Sequence, residues 1–172
     1  MRKISKVVVT TTAAILALSL TSCTGAGPNA ATRQINRVTD GGEAVINENG
    51  YDIRISNLLL VAVGDSTTVL VGNIVNRSEE VDQLLTITTA ATRAVISGES
   101  ILRTNKPLFF EGESANAKAV LFGEDLKAGS TVEIGLGFAR AGRVIVRVIV
   151  RDQSDIYAGI TAEVIPSAPA TK

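Results

Sequence analysis

The alternation of hydrophobic and polar residues is clearest in RVIVRVIVR, residues 143–151. Every second position from Val144 to Val150 is valine, and the positions between them are arginine or isoleucine. Alternation with a period of two predicts a β-strand with one buried face. A helix would spread the valines around its circumference, so the pattern favours a half-buried strand over 143–151.

A second alternating segment, TVEIGLGF, occupies residues 131–138. Its odd-numbered positions are polar or glycine, and its even-numbered positions are Val132, Ile134, Leu136 and Phe138. The four residues between the two segments, ARAG, are suited to a turn. We therefore predict an antiparallel hairpin that buries the even-numbered positions of both strands.

Shorter apolar segments precede this hairpin and are separated by turn signals such as Asn49-Gly50, Ser97-Gly98 and Glu111-Gly112. No convincing amphipathic helix interrupts them. Many short strands with frequent turns predict a single antiparallel β-sandwich over residues 43–165. The remaining predicted strands are residues 44–47, 52–63, 68–76, 84–90, 94–97, 108–110 and 115–122.

The N-terminal segment has a different pattern, with a basic start, an apolar core and a short exit of small residues. This order predicts a secretory signal peptide over residues 1–22. Leu20-Thr21-Ser22-Cys23 also looks like a bacterial lipobox, which implies cleavage before Cys23 and attachment of diacylglycerol to its sulfur. The alternative is an ordinary cleaved leader with an incidental cysteine.

The segments that flank the predicted sandwich are polar or rich in small residues. Residues 23–42 contain glycines and few apolar side chains, so we predict a flexible tether that carries the lipid on Cys23. Residues 166–172 read as a disordered tail. The expected location is therefore the extracytoplasmic face of the cell membrane, with the protein anchored by lipid.

The composition narrows the function classes. The chain has no His, one Cys and one Met, and that Met is the initiator. Catalytic sets built on His or Cys, and copper or zinc sites built on His, Cys or Met, are thus excluded from the predicted mature domain. Without the basic leader the net charge is about −3, which does not favour nucleic acid. We predict no enzyme activity, no cofactor and no nucleic-acid partner.

Two motifs carry a family resemblance. NRSEEVDQL covers residues 76–84, and LKAGSTV at 126–132 is followed by Phe138, Ala141-Gly142 and the valine-rich strand. This order resembles actinobacterial Lpq-type lipoproteins and, more distantly, periplasmic copper chaperones of the PCu(A)C type. The resemblance implies an immunoglobulin-like or cupredoxin-like β-sandwich.

The resemblance does not extend to copper ligands. The chaperones hold copper(I) with histidines and methionines, and the corresponding stretches here are residues 94–97 and 116–120. Neither stretch contains His or Met. We therefore expect no copper binding and no metal site.

One candidate partner surface is the outward face of the last strand, which carries Arg143, Arg147 and Arg151. Guanidinium groups spaced about 13 Å apart could meet anionic lipid headgroups or an acidic partner. The alternatives are a solvated sheet face, or cross-strand pairing of the arginines with acidic residues such as Glu133.

Two further features each admit a functional and a structural interpretation. Gly135 and Gly137 leave one strand face bare, which would admit a ligand or another backbone. The structural alternative is a bulge, or room for arginine stems from the neighbouring strand. Acidic turns, such as residues 79–82, would bind a hard cation or would only be solvated. Asp82 would accept hydrogen bonds from backbone N–H groups in its turn.

The leading functional hypothesis is a membrane-anchored, non-enzymatic binding or adaptor module for an envelope protein or a cell-wall partner. An extracytoplasmic protein that binds a small ligand or a hard cation is the alternative. A copper-chaperone-like protein that has lost its metal site is the third hypothesis.

Overall fold

The computed structural model describes residues 40–64 and 66–163, all within one compact unit that begins at Thr39. The predicted leader, the lipobox with Cys23 and the predicted tail lie outside the described residues. Within those residues, no helix is long and apolar enough to cross a bilayer. The strands are β1 (Gly42–Ile46), β2 (Ile53–Gly64), β3 (Thr67–Asn76), β4 (Asp82–Thr88), β5 (Val95–Gly98), β6 (Ile101–Leu102), β7 (Leu108–Phe109), β8 (Ala117–Phe122), β9 (Thr131–Phe138) and β10 (Arg143–Asp152).

These strands form a curled sheet that folds over on itself into two layers. The strand order is β5-β8-β3-β2-β10-β9-β4-β6, with β1 added to β2 and β7 added to β3. The β-sandwich prediction is confirmed, and the strands fall close to the predicted segments. The two-residue strand β6 was not predicted, because so short a segment shows no alternation.

Strand β10 joins the two layers. Its residues Arg143 to Ile149 pair antiparallel with β9, as the predicted hairpin requires. Its residues Val150 to Asp152 then pair parallel with Leu60 to Ala62 of β2. The sheet is therefore mixed and not purely antiparallel, because the hairpin with β9 fixes the direction of β10 before it reaches β2.

The main hydrophobic core lies between the layers and contains the predicted buried faces of β9 and β10. Val146, Val148 and Val150 are buried there, whereas Arg143 and Arg147 point outward and are exposed. Aromatic residues contribute little; Phe110 is buried in this core and Phe109 is half-buried. For β9 and β10, the alternation of the sequence thus predicted which side of the strand faces inward.

A second, smaller apolar cluster lies on the outer face of β2 and β3. Leu59, Val61 and Val69 are buried there beneath Ile160 from the C-terminal segment, with Tyr157 packed against them. This segment contains a short 3-10 helix, Asp155–Tyr157, that was not predicted. The outer face of the sandwich is therefore partly covered by the chain that follows β10.

Candidate functional site

A charged pair, Lys118 and Glu111, lies on the outer face of the sandwich, and its carboxylate lines a cleft there. Lys118 is the second residue of β8, and its side chain is only 9% exposed. Its Nζ lies 3.1 Å from Oε1 of Glu111, whose side chain is 16% exposed. Lysine is rarely buried without a partner, so the carboxylate compensates the charge of the buried ammonium.

The loop between β7 and β8 places Glu111 beside Lys118. Asn116 closes this loop: its Oδ1 accepts a hydrogen bond from the backbone N–H of Phe109 at 2.9 Å, and its Nδ2 donates to the carbonyl of Pro107 at 3.1 Å. Glu111 Oε1 is buried and accepts no hydrogen bond from the described residues. The carboxylate is therefore held in place mainly by its ion pair.

The cleft itself opens between this loop and the C-terminal segment and has a volume of about 460 Å³. The side chain of Gln153 holds that segment by donating a hydrogen bond to the carbonyl of Ile160 at 2.6 Å. Ile156, in the wall of the cleft, is 84% exposed. The lining residues are Val71, Glu111, Gly112, Ile156, Tyr157, Gly159 and Ile160.

The arginines of the candidate partner surface occupy three different environments. The guanidinium of Arg143 lies over Gly135 and donates to Thr88 Oγ1 at 3.4 Å. Arg147 is the direct cross-strand neighbour of Glu133. The structure thus brings these side chains to one face. Because Gly135 has no side chain, the guanidinium of Arg143 can lie over it.

Arg151 differs from the other two because it forms an ion pair with Asp40. Its Nε is buried and has no hydrogen-bond partner among the described residues. Asp40 precedes β1, so this pair fixes the start of the folded domain next to the end of β10. The role of Arg143, Arg147 and Arg151 as a partner surface stays a prediction.

The acidic turns are spread over the molecule. Across residues 40–64 and 66–163, no group of three or more His, Cys, Asp or Glu side chains could hold a metal ion. Glu80 forms an ion pair with Arg140 at the edge of another cleft, which has a volume of about 360 Å³ and is also lined by Tyr51. Both partners are about half exposed, so this pair contributes little stability.

Asp82 accepts backbone N–H bonds, as predicted, and mostly from a distant turn. It is 2% exposed at the start of β4. Its carboxylate accepts hydrogen bonds from the backbone N–H groups of Gln83 at 2.7 Å, Arg140 at 2.9 Å and Ala141 at 2.9 Å. Asp82 therefore fastens the β9–β10 turn to β4.

Asn76, at the end of β3, plays a similar structural part. Its Nδ2 donates to the carbonyls of Glu80 at 2.7 Å and Leu102 at 2.9 Å, and its Oδ1 accepts the N–H of Ser78 at 2.9 Å. The motif NRSEEVDQL therefore contains fold-stabilising residues in Asn76, Ser78 and Asp82.

Solved structures similar to this chain are PCuAC domains. The apo PCuAC domain from PmoF1 and the copper-bound PCuAC domain from PmoF2 each have a TM-score of 0.53 and 19% sequence identity. Each match covers 64% of this chain, and 98% and 97% of the respective domains. The apo PmoF2 PCuAC domain has a TM-score of 0.50 at 19% identity and covers 66% of this chain and 97% of that domain.

This chain has a PCuAC-like fold. At 19% identity the likeness establishes the fold and not the activity. No protein-family model and no curated protein sequence matches the chain.

The PCuAC-like fold raises the question of copper, and the donor set does not fit it. The stretches 94–97 and 116–120 come together as the paired strands β5 and β8, in which Ser97 lies opposite Lys118. A protonated lysine has no lone pair for a metal and repels cations. Copper(I) prefers thiolate, thioether or imidazole ligands, and these paired strands contain none.

Sequence reasoning missed the cleft and its ion pair. The available signal was Lys118 itself, a single charge in the otherwise apolar segment AKAVLF of β8. A lone lysine in a buried strand requires a partner. The sequence did not show that Glu111 would be this partner, because the loop between β7 and β8 determines where its carboxylate lies.

Proposed function

We propose that this protein is a lipid-anchored, extracytoplasmic, non-enzymatic binding module with a PCuAC-like fold. The observation that carries the proposal is the set of side chains on the paired strands β5 and β8. They present Ser97 and Lys118, with Glu111 beside them, in place of soft metal ligands. The chain also lacks any His for common catalytic sets. These residue types support a protein that displays a binding surface.

The anchor in this proposal rests on Cys23 and the lipobox before it. A thiolate is the nucleophile that accepts a lipid, and two or more acyl chains give stable attachment where one does not. The resemblance to Lpq-type lipoproteins rests on the sequence motifs alone and stays a prediction. The Asp40–Arg151 pair places the start of the folded domain only 17 residues beyond Cys23 along the sequence.

Metabolic labelling with an alkyne fatty acid tests the anchor. Wild-type protein should incorporate the label, sediment with membranes and yield a mature N-terminal peptide that begins at modified Cys23. The Cys23→Ala variant should lose the label and the cleavage between Ser22 and Cys23. Equal labelling of the wild type and Cys23→Ala would overturn the lipid anchor.

The proposed partner surface centres on Arg143 and Arg147, which are exposed, because Arg151 is already paired with Asp40. Crosslinking mass spectrometry on native membranes should identify an envelope partner that is lost in the Arg143→Glu/Arg147→Glu variant. The matched control is Arg103→Glu/Lys106→Glu, which makes the same charge change at two exposed sites elsewhere. Equal crosslinks from all three proteins would discard this face as a docking surface.

A further inference from the structure

The cleft beside Glu111 combines a carboxylate with apolar walls. Its volume of about 460 Å³ lies in the range of small-molecule sites, about 300–1,000 Å³. Ile156, Ile160 and Val71 supply apolar surface, and Tyr157 supplies an aromatic ring. Sites with apolar walls and a few polar groups bind ligands that combine a hydrophobic body with one polar end.

The ion pair determines the preferred charge of that polar end. Glu111 lines the cleft, whereas Lys118 is more deeply buried and does not line it. Oε1 of Glu111, which pairs with Lys118, is buried, but the residue lines the cleft, so a bound ligand lies nearer the negative end of the pair than the positive end. A protonated amine gains from the carboxylate more than it loses from the more distant ammonium, because Coulomb energy falls with distance. The ring of Tyr157 favours the same charge.

We propose that this cleft binds small amphiphilic amines, with the protonated nitrogen at Glu111 and the apolar body against Ile156, Tyr157 and Ile160. This inference deepens the proposed binding role and rests on it. It does not depend on lipidation, which the Cys23 labelling tests separately.

Three cyclohexyl compounds of nearly equal shape test the proposal. They are cyclohexylmethylamine, cyclohexylmethanol and cyclohexanecarboxylate, which carry a positive charge, no charge and a negative charge. None absorbs where tyrosine does, and the chain has two Tyr and no Trp. Titration is followed by the emission of Tyr157 in full-length protein with Tyr51→Phe, reconstituted in phosphatidylcholine nanodiscs. Empty nanodiscs correct for partitioning.

The amine is expected to bind about tenfold more tightly than the alcohol, because a hydrogen bond to a charged group is stronger than one between neutral groups. The carboxylate is expected to bind least. Glu111→Gln should remove the preference for the amine, whereas the control Glu113→Gln, at an exposed position outside the cleft, should keep it.

A second variant keeps the test decisive if Glu111→Gln does not fold with Lys118 unpaired. Ile156 is almost fully exposed, so Ile156→Ala should leave the melting temperature unchanged and weaken amine and alcohol binding by the same factor. Equal binding of amine and alcohol to the wild type would overturn the proposal. So would an unchanged amine affinity in Ile156→Ala, or a retained preference in folded Glu111→Gln.

Discussion

At the scale of single residues, the buried polar groups of this protein are mainly structural. The side chains of Asn76 and Asp82 satisfy backbone groups of loops that connect the strands. The hydroxyl of Ser78 accepts a hydrogen bond from the backbone N–H of Asp52 at 2.7 Å. Buried polar groups are costly without partners, and these three have them. The sequence motif that suggested a family therefore reports how the loops are built.

Asp82 gives the first prediction. Asp82→Ala removes the acceptor of three backbone N–H groups and leaves the turn at Arg140 and Ala141 detached from β4. We expect a loss of about 3 kcal/mol in the free energy of unfolding, measured by urea denaturation. The exposed Glu124→Ala should change this free energy by less than about 0.5 kcal/mol. Equal stability of the two variants would contradict the structural role of Asp82.

The Lys118–Glu111 pair gives the second. Lys118→Met leaves the carboxylate of Glu111 partly buried without a counter-charge, and we expect a loss of about 3 kcal/mol. The double variant Lys118→Met/Glu111→Gln removes both charges and should come within about 1 kcal/mol of the wild type. A double-mutant cycle from urea denaturation measures this coupling. Additive losses would show that the two side chains stabilise the fold independently.

At the scale of elements, β10 holds the molecule together because it pairs with strands of both layers. Its valine face enters the core, and its other face carries the arginines. Strand β1 approaches β10 closely: a side chain at Gly42 would overlap the backbone carbonyl of Arg147. A side chain at Gly135 would overlap only the guanidinium end of Arg143. These two glycines face different constraints.

Alanine at each position tests this difference. We expect Gly42→Ala to lower the free energy of unfolding by about 2 kcal/mol or more, because the backbone of β10 cannot yield. Gly135→Ala should cost less than about 1 kcal/mol, because the flexible side chain of Arg143 can move away. The measurement is the urea concentration at the midpoint of unfolding of each variant, compared between variants with the same m-value. A larger cost for Gly135→Ala would mean that the place of Arg143 over this glycine is essential to β9 and β10.

At the scale of the whole molecule, a PCuAC-like fold is combined with a sequence that has no His, Cys or Met in residues 40–64 and 66–163. The strands β5 and β8 lie side by side and contain neither His nor Met. The outer face near them is covered in part by the C-terminal segment, which forms one wall of the cleft. Because one fold can host several activities, the PCuAC-like fold does not by itself assign copper binding to this chain.

A copper(I) titration tests whether this chain binds copper. In the full chain with Cys23→Ser, which removes the only thiol, we expect no stoichiometric copper(I) binding in competition with a tight chromogenic chelator. Lys118→Met adds one thioether but no second soft ligand, so it should also fail to bind. Retention of one copper per chain by the Cys23→Ser protein would restore the copper-chaperone hypothesis.

Much of the fold was predictable because alternation reports which face of a strand is buried. The hairpin of β9 and β10 was predicted almost to the residue, and Asn49-Gly50 forms the expected tight turn, with positive φ at both residues. The parallel pairing of β10 with β2 was not predictable from local pattern, because strand partners distant in sequence leave no periodic signal. The candidate cleft was likewise hidden, since its walls come from β3, a loop and the C-terminal segment.

The sequence by itself determined the class of fold, the inward faces of β9 and β10 and the absence of His-based chemistry, because these follow from composition and from the two-residue period of a strand. Only the tertiary structure decided that β10 joins both layers, that Asp82 holds a turn 58 residues away, and that Glu111 meets Lys118 at a cleft. These contacts depend on how distant segments pack. Close packing of the whole chain fixes them, and no local pattern encodes them.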